Sequence, residues 1–60
     1  MRKGGEIYLE FTQQGNFVKV CAICARTGTE VSIVGDARAS KKELETVAIN
    51  KLKFVMNKNQ

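Results

Sequence analysis

Polar and apolar residues alternate from Glu6 to Thr12, and Ile7, Leu9 and Phe11 fall on one side of that run. A period of two predicts a strand with one face buried. Gln13-Gln14-Gly15-Asn16 comes next. Glycine and asparagine both tolerate positive φ, so a tight hairpin is expected there. Phe17 to Ala25 reads as a second strand and Arg26-Thr27-Gly28-Thr29 as a second turn. Glu30 to Val34 reads as a third strand, ended by Gly35.

The period then changes. Ser40-Lys41-Lys42-Glu43 has the spacing of a capping box, in which the serine oxygen accepts the Glu43 amide and the glutamate reaches back to the Ser40 amide. From there to about Asn57, Leu44, Ala48, Leu52 and Val55 form one helical stripe. The pattern predicts an α+β fold, a three-stranded antiparallel β-meander with one C-terminal α-helix packed on one face, in β-β-β-α order. Residues 1–60 are expected to form a single small domain, with residues 1–5 a flexible lead and residues 58–60 a frayed end.

Turn lengths predict the register. A two-residue loop at Gly15-Asn16 sets Phe11 opposite Val20, Leu9 opposite Ala22 and Ile7 opposite Cys24. A two-residue loop at Thr27-Gly28 sets Val31 opposite Cys24 and Ile33 opposite Ala22. The main threat to that second register is a three-residue bulged turn at Arg26-Thr27-Gly28. One face then carries Ile7, Leu9, Phe11, Val18, Val20, Ala22, Cys24, Val31 and Ile33. All nine are apolar, and the helix stripe matches them.

Composition is that of an ordinary globular domain, at 43% apolar and 27% charged. A chain this short buries only about 60% of the surface that its unfolded form exposes, so its core is small. No apolar run approaches the ~20 residues of a membrane span, and no apolar signal segment follows Arg2-Lys3. A cytoplasmic protein with no membrane contact is expected. Two cysteines without an export signal do not suggest a disulfide framework.

Val20-Cys21-Ala22-Ile23-Cys24-Ala25 contains the one stretch that resembles site chemistry. Within a strand, side chains three positions apart point to opposite faces, so the two thiols cannot converge on one ion. A structural zinc site needs four ligands, and the chain has no histidine and no third cysteine. A thioredoxin-type pair sits at a helix N-terminus, whereas this one lies in a predicted strand. The pair reads as packing, with Cys24 in the core and Cys21 on the other face. Without histidine the commonest general base is missing, and the six acids are scattered. No phosphate-loop or dinucleotide pattern occurs. A non-enzyme with no cofactor, no metal site and no catalytic residue is expected.

Two surfaces remain. On the outer face of the sheet, the predicted pairing groups Tyr8, Cys21, Ile23 and Val34 into an apolar patch. Single exposed apolar residues are ordinary, but contiguous patches on small domains tend to be contact sites. The apolar arc of the helix, from Phe54 and Val47 round to Ile49 and Met56, spans roughly 220°, more than one sheet face covers. Ile49 and Met56 at one edge are therefore candidates for contact with a homodimer mate or another protein partner. Oligomerisation is also a common remedy for a small core.

Nucleic acid is the rival partner. The net charge is +4, and Lys41, Lys42, Lys51, Lys53 and Lys58 all lie on the helix. Acids early and lysines late are, however, what a helix dipole favours, and the helix has no arginine to read bases. The sheet also lacks the paired aromatics of RNA-binding sheets. Protein contact is the preferred expectation.

Three stretches carry a resemblance: Gly5-Glu6-Ile7-Tyr8-Leu9-Glu10-Phe11, Gly15-Asn16-Phe17-Val18-Lys19-Val20 and Thr27-Gly28-Thr29-Glu30-Val31. With the chain length, the order of turns and the closing basic helix, they resemble a family of short uncharacterised proteins of alphaproteobacterial type. The likeness runs from about Gly5 to Lys53. It implies a small cytoplasmic bacterial protein, and it brings no activity and no functional residues.

Overall fold

A computed structural model describes residues 6–58, and the expected flexible lead over residues 1–5 lies outside the described residues. Strands β1 (Ile7–Gln14), β2 (Phe17–Cys24) and β3 (Glu30–Asp36) precede one helix, α1 (Lys41–Lys58). The helix thus keeps Lys58, which the sequence pattern assigned to a frayed end. The strands form one antiparallel sheet in the order β1-β2-β3. The β-β-β-α reading is correct.

The first hairpin has the expected register, with Phe11 opposite Val20, Leu9 opposite Ala22 and Ile7 opposite Cys24. Its turn uses Gly15 at φ +61°, and Asn16 does not take a positive φ. Positive φ at the first central residue alone is the type II′ pattern, which suits the twist of the two strands.

The second hairpin differs from expectation. Val31 lies opposite Ala22, and Ile33 opposite Val20, a slip of two residues. The Cys24 amide donates to Thr29 O at 2.8 Å, so the loop is Ala25-Arg26-Thr27-Gly28. Inside it the Gly28 amide donates to Cys24 O at 2.8 Å, and Gly28 takes φ +80°. Thr27 braces the loop as well: its hydroxyl oxygen accepts the Thr29 amide at 3.2 Å and bonds the Thr29 hydroxyl at 2.8 Å. These bonds close a longer loop than the glycine position suggests. An even slip moves partners without changing faces, so the inner face survives intact.

That inner face is the core. Val20, Ala22, Cys24 and Val31 are buried with Leu44, Ala48 and Leu52 of α1, while Ile7, Leu9, Phe11, Val18 and Ile33 pack round them half-buried. Ser40 caps the helix, its hydroxyl accepting the Glu43 amide at 3.0 Å, which is the serine half of the predicted capping box. Gly35 does not end β3, which runs on to Asp36. It faces inward opposite Val18, and a Cβ there would collide with Leu44 Cδ2. Glycine lets the first turn of the helix close against the sheet. The helix packs on β2 and β3, leaving β1 at the margin.

Candidate interaction surfaces

Cross-strand partners order the outer face of the sheet into rows. Tyr8, Ile23 and Glu30 form the first, followed by Glu10, Cys21 and Ser32. Thr12, Lys19 and Val34 form the third, and Gln14, Phe17 and Asp36 the last. Tyr8 does lie beside Ile23, as expected. Val34 does not lie beside Cys21: the two-residue slip places it opposite Lys19, and Cys21 opposite Ser32. The apolar surface is therefore two clusters, Tyr8 with Ile23 and Cys21, and Phe17 with Val34, separated by Lys19. Tyr8, Phe17 and Val34 are 54%, 61% and 65% exposed. Cys21 and Ile23 are half-buried.

The helix presents a different edge from the one expected. Ile49 is half-buried, and Met56 packs against the core cluster. Val47 and Phe54, on the other flank, are the exposed pair. The cause is lateral position. Lys51 Nζ donates to Ser32 O at 3.0 Å, which ties the Val47–Phe54 flank to the β3 side. At 100° per residue the opposite flank, with Ile49 and Met56, then faces β1. Phe17, Val47 and Phe54 were all readable as apolar positions, yet pattern alone did not show which would stay uncovered.

The two sheet edges are not alike. The Ala25 amide donates to Glu6 O at 3.0 Å, which sets the phase of the β1–β2 ladder. Antiparallel pairs alternate between bonded and unbonded, so Tyr8, Glu10 and Thr12 bond to β2. Ile7, Leu9, Phe11 and Gln13 point their amides and carbonyls out of the free edge. The Cys24–Thr29 bond sets β3 likewise, with Glu30, Ser32 and Val34 facing outward. On that side Lys51 covers the Ser32 carbonyl.

Side-chain chemistry is sparse. Cys21 and Cys24 are free thiols on opposite faces, Cys24 buried. The Thr27 hydroxyl, and then its amide, hold the Cys24 thiol below its ordinary value of 9.0. Among the described residues, no three His, Cys, Asp or Glu groups come together as a metal site. The Asp36 carboxylate takes the Arg38 guanidinium and the Arg38 amide, which keep it below its ordinary value of 3.8. A hollow of about 290 Å³ at the start of α1 is lined by Phe11, Val18, Leu44 and Lys41 among others. Lys41 Nζ stands 5.2 Å over the Phe11 ring. Lys58 stands 5.7 Å over Phe54. No helix among the described residues is long and apolar enough to cross a membrane.

The family described as a domain of unknown function (DUF6898) matches residues 4–59, and the chain belongs to it. No curated protein and no solved structure matches the chain.

Proposed function

We propose that this chain, a member of a family of unknown function, is a non-enzymatic, self-associating protein-interaction module. One observation carries the reading: the apolar surface left uncovered by the single helix. Tyr8, Phe17 and Val34 on the outer sheet face, with Val47 and Phe54 on the helix, are all large and exposed. A two-layer fold gives the outer sheet face nothing to pack on within the described residues, and such surfaces on small domains serve contact. The lysines add little concentrated charge. Lys41 and Lys58 lie over aromatic rings and Lys51 holds a carbonyl, which leaves Lys42 and Lys53 among the helix lysines without a partner of that kind.

The test is solution mass against concentration, at low and high salt, with a duplex DNA and a single-stranded RNA as competing ligands. Self-association that holds or tightens in salt supports the reading, because apolar contact does not release counterions. A protein that stays monomeric throughout and retards nucleic acid at low salt through Lys42 and Lys53 overturns it.

A further inference from the structure

We infer that two copies of this chain join along β1, antiparallel about a two-fold axis at Leu9, to form one continuous six-stranded sheet. This rests on the self-association reading only in that two copies meet; its seam is the β1 edge, and it leaves Phe17, Val34, Val47 and Phe54 exposed.

The first ground is the contrast between the edges. Open strands invite pairing, and proteins guard them with lysine, proline, bulges or a covering segment. β3 is seven residues long, and Lys51 from the helix occupies one of its outward carbonyls. β1 is eight residues long and pairs residue for residue with β2, without a bulge; neither edge strand carries lysine, arginine or proline, and the lysine that reaches β1, Lys41, lies over the Phe11 ring. Its outward backbone groups at Ile7, Leu9, Phe11 and Gln13 form a regular row.

The second ground is incomplete burial on the same side. The helix sits over β2 and β3, so the inward side chains of β1, Ile7, Leu9 and Phe11, stay half-buried. A second β1 placed alongside brings the same three residues next to them. It also sets the Ile49–Met56 flanks of the two helices facing each other above the seam. The wide apolar arc of α1 thereby gains a cover on the flank nearest β1.

The third ground selects the register. Symmetry and the bonding phase allow axes at single residues of β1. An axis at Glu10 sets Glu10 against its own copy, and one at Tyr8 sets Glu6 against Glu10 of the second copy; like charges directly opposite are unfavourable. An axis at Phe11 spends Leu9 on Gln13. An axis at Leu9 pairs Leu9 with Leu9 and Ile7 with Phe11, keeping the inner face apolar. On the outer face it sets each Tyr8 beside Glu10 of the other copy.

Backbone amide exchange, read by NMR above and below the association concentration of the intact chain, tests the seam. The Ile7, Leu9 and Phe11 amides have no acceptor in the ladder among the described residues of one copy, so they should exchange fast when dilute and at least about tenfold more slowly when associated. The Ser32 and Val34 amides on the other edge should not change. Tyr8→Glu sets two like-charge pairs across the seam while leaving the inner face intact, and should weaken association by about tenfold. Adding Glu10→Lys should restore it. Association with fast β1 amides, or with Tyr8→Glu neutral, overturns the seam and leaves the self-association reading standing. A monomer at every concentration overturns both.

Discussion

Gly35→Ala tests the closest approach in the fold. The added methyl collides with Leu44 Cδ2, whereas Leu44 Cγ at 3.7 Å is in ordinary contact. One methyl must therefore swing, not the whole side chain. Leu44 is only 7% exposed, so it swings inside packed surroundings. An off-rotamer side chain costs about 0.5–1.5 kcal/mol and overpacking about 1–3 kcal/mol. Against this, replacing glycine by alanine restricts the unfolded chain and returns about 0.4–1 kcal/mol. Gly35 takes no positive φ, so no backbone strain enters. The expected net loss is about 1 kcal/mol. In a Leu44→Val background the colliding atom is gone, and the same change should stabilise by about 0.5 kcal/mol. Urea unfolding of the four proteins at one low concentration gives the coupling, expected near 1.5 kcal/mol. Additive effects, within about 0.5 kcal/mol, would refute the account of Gly35 as the notch that seats the helix.

Ser40→Ala removes the cap on the Glu43 amide and should cost about 1 kcal/mol in thermal or urea unfolding. Under native thiol labelling, Cys21 should react well before Cys24. Thr27 favours the Cys24 thiolate, but that thiol is buried and reacts only on opening, so burial decides the order. Asp36 is held low by Arg38, so its contribution to stability is present above the ordinary carboxylate value and lost as pH falls through the lower folded one. A carbon-detected NMR titration should place its midpoint below 3.8, and Arg38→Ala should return it upward. Lys51→Ala should change stability by less than about 0.5 kcal/mol, yet uncover the Ser32 carbonyl. Sedimentation should then show added, less specific association through β3; unchanged behaviour would mean that the lysine guards nothing.

The inner face was legible in full because alternation assigns faces without knowledge of partners. Ile7, Leu9, Phe11, Val18, Val20, Ala22, Cys24, Val31 and Ile33 all belong to the core cluster. Partners needed loop lengths. Gly15-Asn16 closes in two residues and shows it, since Gly15 takes the positive φ at the first turn position. Gly28 also takes positive φ, but as the last residue of a four-residue loop closed by the Cys24–Thr29 and Gly28–Cys24 backbone bonds. A threonine hydroxyl bonding the residue two places on leaves no periodic signal. The Val34–Cys21 neighbourhood was lost for that reason, although both residues kept their face.

The helix shows a second limit of pattern. Its apolar arc gave a width, and one half of it had to be left over. Which half depends on where the helix sits across the sheet, and two contacts set that: the Leu44 seat at Gly35 and the Lys51 reach to Ser32. Both draw α1 toward β3. The basic character of the helix is partly a consequence of the same placement, because Lys51 closes an edge while Lys41 and Lys58 shield Phe11 and Phe54. Cation–ring contacts of this kind are worth about 0.5–1 kcal/mol when exposed. One helix cannot cover three strands, and drawing it toward β3 leaves β1 with an open backbone edge beside apolar side chains. The asymmetry that stabilises one copy is thus what opens its other edge to the proposed pairing.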